Sequence, residues 1–248
     1  MGMTNTEKTS VLITGGNKGL GLEAARRLGV EGWKVFLGSR DERRGRAAVD
    51  ELAGAGLDVV MVPLDVTSDG SVSDAVQLVR RHTDRLDVLI NNAGASGNVV
   101  PPAEATAEEV HSVYDTNVYG PIRVTHAFLP LLQAADAPRV VMVSSAGGSF
   151  AVITDPEQPV SKMHELAYSS SKAALNMVTV KLGVHLREDG VIAVALHPGV
   201  LRTALASTRA PDLEEVAPAA AEIVALIDGL TMADTGTFRR RDGSVHPW

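Results

Sequence analysis

The sequence predicts an α/β fold in which a doubly wound parallel sheet carries helices on both faces. Short, continuous apolar runs recur along the chain, as is typical of strands that are covered on both faces. Longer segments of helical period separate these runs, so strands and helices alternate throughout. The apolar runs are residues 11–13, 35–37, 59–64, 88–90, 140–143 and 191–196, and the helical segments are residues 20–30, 44–53, 72–82, 122–132, 173–186 and 218–227. A sheet of this kind binds ligands beyond the carboxyl ends of its strands.

The composition favours one soluble domain. A chain of 248 residues with 45% hydrophobic residues can bury a sizeable core, and a single α/β domain of this length is common. We therefore expect residues 1–248 to form one domain. No apolar run approaches the ~18 residues that cross a bilayer, and the first ten residues lack the apolar segment of a signal peptide. These features predict a cytoplasmic protein without membrane contact.

Charge and residue usage exclude several classes of function. A net charge of -7 argues against a nucleic-acid partner, because neutralising phosphates requires a concentrated basic face. The absence of cysteine excludes disulfides, thiolate ligands and cysteine nucleophiles. The seven histidines show no metal-binding spacing, so no metal is predicted. The polar run 239–241 is expected to be a solvated turn near the last strand.

A glycine-rich loop follows the first predicted strand. Residues 14–21 read Thr-Gly-Gly-Asn-Lys-Gly-Leu-Gly. Glycines let a backbone approach a pyrophosphate, and the start of the following helix attracts the negative charge of that group. An isolated glycine cluster could equally form a tight turn without a ligand, but the position after the first strand favours a cofactor loop. The predicted contacts are Gly15, Asn17, Lys18, Gly19, Leu20 and Gly21.

The end of the second predicted strand indicates which dinucleotide is bound. An acidic residue about 20 positions after the glycine loop accepts the ribose 2′-hydroxyl of NAD, whereas an arginine nearby accommodates the 2′-phosphate of NADP. Here Ser39 occupies that position and Arg40 follows. A guanidinium pairs with a phosphate that a carboxylate would repel. We therefore predict NADPH/NADP rather than NAD, with a solvated Arg40 as the alternative.

Tyr168 and Lys172 form the strongest catalytic candidate. Their i, i+4 spacing places both side chains on one face of a helix. A free phenol has a pKa of about 10, and a nearby positive charge lowers it toward neutral pH. The pair could therefore act as a general acid or base, although Y-x-x-x-K also arises by chance between surface residues.

Three further polar segments follow predicted strands or lie within a helical stretch. Ser144 and Ser145 end the fifth strand. Ser145 could donate a hydrogen bond to a carbonyl oxygen, with a turn or a helix cap as the alternative. Residues 91–94, which are Asn91, Asn92, Ala93 and Gly94, end the fourth strand where a cofactor would lie. Asn117 stands next to a glycine in a helical stretch, where asparagine more often caps or kinks a helix.

Together these motifs resemble those of the short-chain dehydrogenase/reductase family, and within it the carbonyl-reductase-like branch. Residues 14–21 match T-G-x-x-x-G-x-G, residues 91–94 match N-N-A-G, and Tyr168 with Lys172 matches Y-x-x-x-K. The resemblance covers nearly the whole chain and implies a single-domain Rossmann fold. Three features are similar to the carbonyl-reductase branch and strengthen the expectation of NADPH. They are the Gly-Asn-Lys-Gly run, the pair Ser39-Arg40, and the ending from Thr235-Gly236 through Asp242-Gly243 to Pro247-Trp248.

The resemblance also implies a role for each matched residue. Tyr168 would protonate the substrate oxygen and Ser145 would polarise it. Lys172 would lower the pKa of the tyrosine and hold the nicotinamide ribose, and Asn117 would position a water molecule for proton relay. The remaining implied cofactor contacts are Asp65 and Val66 at the adenine, Asn91 at the adenosine ribose, and Pro198, Gly199 and Thr203 near the nicotinamide carboxamide.

The expected activity is reversible hydride transfer between NADPH and a ketone or aldehyde, with a small-molecule carbonyl or alcohol as the partner. Two alternatives stay open. The chain could be an NAD-dependent alcohol dehydrogenase, or it could bind the dinucleotide as a non-catalytic sensing module, because a fold alone does not establish catalysis.

Two loop segments depart from regular alternation. Ser145 and Tyr168 are separated by 23 positions, roughly ten more than is common in the family that the chain resembles, which indicates an inserted loop near residues 150–166. This loop is expected to form part of the substrate-pocket wall. Residues 201–218 are expected to act as a lid over the substrate. Larger inserts at this point accompany monomers in that family, so both a monomer and a homo-oligomer stay open.

Overall fold

The computed structural model describes residues 8–162, 164–203 and 213–248. In these ranges the strands are β1 (Ser10–Ile13), β2 (Lys34–Ser39), β3 (Val59–Pro63), β4 (Val88–Asn91), β5 (Arg139–Val143), β6 (Ile192–His197) and β7 (Phe238–Arg240). The helices are α1 (Gly19–Val30), α2 (Glu42–Gly54), α3 (Asp69–Arg80), α4 (Ala107–Tyr114), α5 (Gly120–Leu132), α6 (Phe150–Ile153), α7 (Leu166–His185) and α8 (Val216–Gly229).

The seven strands form one parallel sheet in the order β3-β2-β1-β4-β5-β6-β7. The predicted doubly wound sheet is therefore confirmed. The chain reverses direction across the sheet between β1 and β4, and such a switch point opens a crevice at the carboxyl ends of the strands.

Helices cover both faces of the sheet, because successive strand residues point to opposite sides. Val11 and Ile13 of β1 pack with α1, α2 and α8 in one buried cluster. Leu12, which lies between them, packs with α3, α5 and α7 in the other cluster. Burial on both faces explains why the strands have no polar alternation in the sequence.

Three elements were not predicted from the sequence: the strand β7, the helix α4 and the four-residue helix α6. The strand β7 has the sequence Phe-Arg-Arg, with only Phe238 buried, so it lacks an apolar run. The helix α4 is eight residues long and packs against α7. Its polar sequence, Ala-Glu-Glu-Val-His-Ser-Val-Tyr, contains a single buried residue, Val113. All three elements are shorter than the window over which hydrophobic periodicity can be recognised.

The expectation of a solvated turn at residues 239–241 was wrong. Arg239 belongs to β7 and its Nη2 lies 2.6 Å from Oδ1 of Asp234. Arg241 pairs with the carboxylates of Glu214 and Glu222. These two arginine side chains are only about one fifth exposed, so they connect the end of the sheet to neighbouring segments.

Among the described helices, none has the length and apolar content that would let it cross a membrane.

The contact between α7 and the loop before β7 leaves no space for a side chain. A Cβ atom added at Gly183 of α7 would lie 2.5 Å from the backbone nitrogen of Gly236. That nitrogen donates a 2.7 Å hydrogen bond to the carbonyl of Ala193 in β6. The loop is therefore held against β6 and cannot move away from α7 without losing this bond.

We expect Gly183→Ala to lower the free energy of unfolding by about 1–3 kcal/mol, because the new methyl group overlaps backbone atoms. Gly229→Ala is the matched control, since Gly229 ends α8 and a Cβ there meets nothing within 4 Å. The control should be neutral or slightly stabilising, as alanine is the better helix former. Urea unfolding of both variants measures the difference, and equal stability would contradict the proposed close packing.

Candidate active site

A cavity of about 690 Å³ lies beyond the carboxyl ends of the strands. It brings together most of the residues that the sequence singled out. The predicted site residues that line it are Gly15, Asn17, Lys18, Gly19, Leu20, Arg40, Asp65, Val66, Ala93, Gly94, Ser145, Tyr168, Lys172, Pro198, Gly199 and Thr203. They come from the loops that follow β1 to β6 and from α7, which is the placement that a doubly wound sheet dictates.

Four predicted site residues lie outside the lining of this cavity. Asn91 is buried and its amide nitrogen donates to Thr125 Oγ1 at 3.2 Å, so its side chain is directed at α5. The hydroxyl of Ser39 donates to the carbonyl oxygen of Asp41 at 2.9 Å. Gly21 and Asn117 do not line the cavity either.

The glycine-rich loop is joined to the loop after β4 by short hydrogen bonds. Thr14 Oγ1 accepts the backbone N–H groups of Asn92 and Ala93 at 3.0 and 2.9 Å. The side-chain nitrogen of Asn92 donates to the carbonyls of Thr14 and Gly15 at 2.9 and 3.1 Å. A Cβ atom at Gly21 would lie 2.6 Å from that nitrogen. Gly21 therefore serves the packing of the loop, and the two loops form one rigid platform.

Positive backbone angles explain two glycines of this loop. Gly15 has φ +64° and Gly19 has φ +54°, values that side-chain-bearing residues rarely adopt. Gly19 is the first residue of α1, so the free N–H groups of the helix begin at the cavity. The loop thus offers an uncluttered backbone and the positive end of a helix dipole to an anion.

Two arginines line the end of the cavity near β2. Arg40 is exposed, and Arg44, one helical turn further along, lines the cavity as well. Asp41 lies between them and accepts the N–H of Arg44 at 3.0 Å as the cap of α2. This backbone hydrogen bond outweighs desolvation and, together with the charges of Arg44 and Arg43, lowers the pKa of the Asp41 carboxyl. Arg44 was not predicted from the sequence, because a charged residue in a polar run is more often solvated.

Tyr168 and Lys172 lie on the inner face of α7. The Lys172 ammonium is 5.6 Å from the centre of the Tyr168 ring, and Lys172 Nζ donates to the carbonyl oxygen of Val143, at the end of β5, at 2.8 Å. Lys172 is 4% exposed, and burial lowers the pKa of its amine to about 8. A positive charge on this amine is therefore available beside the phenol at neutral pH.

Ser145 stands in the turn that follows β5. Its Oγ accepts the N–H of Gly147 at 3.1 Å, as a cap of a short 3₁₀ turn over residues 146–148, and its hydroxyl hydrogen stays available to a ligand. A Cβ atom at Gly148 would lie 2.6 Å from the carbonyl carbon of Lys172. This glycine lets α7 pack directly against the turn, so Ser145, Tyr168 and Lys172 face one cavity.

Asn117 lies in a π-helical turn over Asp115–Tyr119. Its side-chain oxygen accepts the N–H of Ala95, and its amide nitrogen donates to the carbonyl of the same residue, both at 2.8 Å. The nitrogen also donates to Ser171 Oγ of α7 at 2.9 Å. Asn117 thus joins the loop after β4 to the helix that carries Tyr168, and a π turn of this kind is frequent at functional sites.

Part of the cavity wall comes from the segment between Ser145 and Tyr168. Pro159 and Val160 line the cavity and belong to a 3₁₀ turn over Pro159–Lys162. Opposite them, Val200 and Leu201 follow β6. Residues 204–212 of the expected lid lie outside the described residues.

Among the residues that the structure describes, no group of three or more His, Asp or Glu side chains could hold a metal ion.

The buried ammonium of Lys172 makes stability depend on pH. Its folded-state pKa of about 8 lies below the ordinary value of 10.5, so the folded protein binds fewer protons than the unfolded chain between these values. The loss of folding stability caused by burying the charged amine is therefore full below pH 8. It decreases as the pH rises toward 10.5, where the unfolded chain also loses the proton.

We expect wild type to gain stability relative to Lys172→Met between about pH 7 and about pH 10. Urea unfolding of both proteins at the two pH values measures this gain. Lys181→Met, at an exposed position of the same helix, is the matched control and should show no such pH-dependent difference. A difference between wild type and Lys172→Met that stays constant with pH would contradict the lowered pKa.

Comparisons with known proteins agree with this geometry. Residues 9–214 match the family model for short chain dehydrogenase. A short-chain dehydrogenase/reductase of Talaromyces stipitatus is 31% identical over 271 residues, which cover 99% of this chain and 100% of the relative.

Solved structures show the same likeness. The NADPH-bound carbonyl reductase from chicken fatty liver superposes with a TM-score of 0.88 at 30% identity, over 97% of this chain and 99% of that chain. Carbonyl reductase Sniffer of D. melanogaster superposes with a TM-score of 0.86 at 28% identity, over 98% and 100%. The chain therefore belongs to the short-chain dehydrogenase/reductase family, whose members are oxidoreductases that use a nicotinamide dinucleotide.

Proposed function

We propose that this protein is an NADPH-dependent carbonyl reductase that converts a ketone or aldehyde to an alcohol by reversible hydride transfer. One observation carries the proposal: a single cavity joins the glycine-rich loop and Arg40 to the group Ser145, Tyr168 and Lys172. In this proposal the whole chain acts as one domain. The segment near residues 150–166 serves as a wall of the substrate pocket, and the segment near residues 201–218 serves as its lid.

The residues at the cavity fit a dinucleotide. The bare backbone of Gly15 and Gly19, with the start of α1, suits the pyrophosphate. Asp65 and Val66 line the cavity beyond β3, where the adenine is expected. Hydrogen bonds from the N–H and Oγ of Thr67 overcome the desolvation of Asp65 and lower the pKa of its carboxyl. When bound, the nicotinamide ring supplies or accepts the hydride.

The catalytic group then supplies the proton. In reduction, negative charge develops on the carbonyl oxygen of the substrate, and hydrogen bonds from Ser145 Oγ and the Tyr168 hydroxyl stabilise it. Tyr168 transfers its proton to that oxygen. The Lys172 ammonium stabilises the phenolate that remains. Nζ uses one hydrogen for Val143, which leaves two for other acceptors, such as the ribose and a water molecule.

Asn117 acts as a structural bridge in this mechanism. Its amide satisfies both backbone groups of Ala95 and also reaches Ser171, so it fixes α7 relative to the loop on which the nicotinamide ribose is expected. Gly94, the residue before Ala95, lies beside the Lys172 ammonium, since a Cβ atom added at Gly94 would be 4.0 Å from Nζ. Any proton relay through water would start from the same Lys172 ammonium.

The charges near β2 support NADPH over NADH. Arg40 and Arg44 both line the cavity, and guanidinium groups bind phosphate more favourably than a hydroxyl. The nearby Asp41 carboxylate is held by Arg44, with Nε 3.1 Å from Oδ2, so its repulsion of a phosphate is partly offset. The chicken enzyme that this chain resembles was solved with NADPH bound.

We expect Tyr168→Phe to lower kcat for carbonyl reduction by roughly 10² to 10⁴-fold, because the variant lacks the transferable proton. NADPH oxidation, followed by its absorbance with a panel of ketones, aldehydes and quinones, measures this loss. Tyr119→Phe is the matched control, since Tyr119 lies outside the cavity. NADPH binding should persist in both variants. A Tyr168→Phe enzyme with wild-type turnover would overturn the proton-donor assignment, and wild type that binds NADPH without any turnover would favour a dinucleotide-sensing module.

We expect Arg40→Ala to raise the Kd for NADPH by roughly 10- to 100-fold and to leave the Kd for NADH nearly unchanged, because a charge-assisted hydrogen bond to the 2′-phosphate is lost. Arg46→Ala is the control, as Arg46 pairs with Glu42 on the solvent side of α2 and does not line the cavity. Fluorescence titration with both nucleotides gives the affinities. Tighter binding of NADH by the wild type would contradict the role of Arg40.

A further inference from the structure

His197 is a polar cavity residue that the proposed mechanism does not use. It is the last residue of β6 and lines the cavity, as do Ala146 and Pro198. Its Nδ1 accepts the backbone N–H of Ala146 at 3.3 Å. Because Ala146 directly follows Ser145, this bond fixes the imidazole within one residue of the serine that faces the substrate carbonyl.

The imidazole is also fixed from its other side. Its ring meets the ring of His246 edge-on, with the centroids 5.1 Å apart. His246 is buried and stacks on Phe238 of β7 at 4.6 Å with nearly parallel planes. The backbone N–H of His246 donates to the carbonyl of Phe238 at 2.7 Å. These contacts, together with the hydrogen bond at Nδ1, hold the imidazole ring in place.

The protonation state of His197 follows from its surroundings. Burial, with the nearby charges of His246, Arg240 and Arg241, lowers the pKa of His197 to about 4, so the imidazole is neutral at physiological pH. Since Nδ1 is an acceptor toward Ala146, the single proton resides on Nε2. Among the described residues, none accepts a hydrogen bond from this Nε2–H, so it is a donor available to a ligand in the cavity.

The reacting oxygen of a substrate does not need this donor. A carbonyl oxygen has two lone pairs, and the proposed mechanism occupies them with Ser145 and Tyr168. The Nε2–H of His197 is a third donor near Ser145. It is therefore suited to a second oxygen atom of the substrate, close to the reacting carbonyl. A neutral donor suits a neutral acceptor, whereas a carboxylate would be better matched by a cation.

We propose that His197 is a specificity-determining residue that donates a hydrogen bond from Nε2 to a second, uncharged oxygen of the substrate. The preferred substrates are then ketones that carry a carbonyl or hydroxyl oxygen next to the reacting carbonyl. This inference rests on the proposed reductase function and goes beyond it, since it selects one class among carbonyl compounds.

Two substitutions separate this role from a merely structural one. His197→Asn places an amide oxygen near the position of Nδ1, so it keeps the acceptor for Ala146 and removes the Nε2 donor. His197→Gln places an amide nitrogen near the position of Nε2, so it keeps the donor and removes the acceptor. A role limited to holding the Ser145 loop would make the asparagine variant the milder of the two for every substrate.

The experiment compares hexane-2,3-dione with hexan-3-one, which lacks the second oxygen, by the ratio of their kcat/KM values with NADPH. Each variant is compared with wild type, so differences in the intrinsic reactivity of the two compounds cancel. We expect His197→Asn to lower this ratio by roughly three- to tenfold, the value of one hydrogen bond. His197→Gln should keep the ratio within about twofold of wild type, even where both kcat/KM values fall.

An unchanged ratio in His197→Asn, or an equal loss of the ratio in both variants, would overturn the proposal. The NADPH affinity and the melting temperature of each variant, measured in parallel, show that the fold is intact. A wild-type enzyme that binds NADPH and reduces neither compound, nor any other member of a carbonyl panel, fails as a reductase. That outcome would overturn both the proposed function and the assignment of His197. If the wild type reduces both compounds, the ratio of their kcat/KM values tests His197 alone.

Discussion

The hydrogen bond from the Lys172 ammonium to the carbonyl of Val143 is the contact on which the site depends. It joins the interior of α7 to the end of β5, and it spans 2.8 Å. Such a bond requires the helix backbone to lie against the turn after β5, which is possible because position 148 has no side chain. With α7 in that place, Tyr168 faces Ser145 across the cavity. The cost is a buried positive charge, and the lowered pKa of the lysine is the measure of that cost.

Much of the fold could be predicted because both faces of the sheet are covered. Continuous apolar runs mark β1 to β6, and the helices between them bury one stripe each. The parts that could not be predicted are those that depend on distant partners. The strand β7 has one buried residue, Phe238, and Arg241 is held by Glu214 and Glu222, which lie 27 and 19 positions away. Such pairings between distant positions cannot be predicted from the composition of either segment.

The candidate site divides in the same way. The sequence locates the residues that belong to a motif, such as the glycine-rich loop and the pair Tyr168–Lys172. Their meeting at one site could be predicted because the carboxyl ends of parallel strands lie at one edge of the sheet. Arg44 and His197 were missed, because a charge in a polar run and a lone histidine have commoner explanations. Asn91 lies outside the cavity lining although it belongs to a recognised motif. Its direction is set by Thr125 on α5, which no motif records.

The wall of the cavity differs in origin from its floor. The floor consists of strand ends and of the platform formed by Thr14 and Asn92, all of which are fixed by the sheet. Pro159 and Val160, by contrast, belong to a connection that contributes no strand to the sheet. Changing the length of a connection has a small thermodynamic cost, about 0.6 kcal/mol for each doubling. The length of this wall segment can therefore change without a change in the strand ends beneath it. Directed evolution could therefore vary this wall, and with it the width of the cavity, while the strand ends stay as they are.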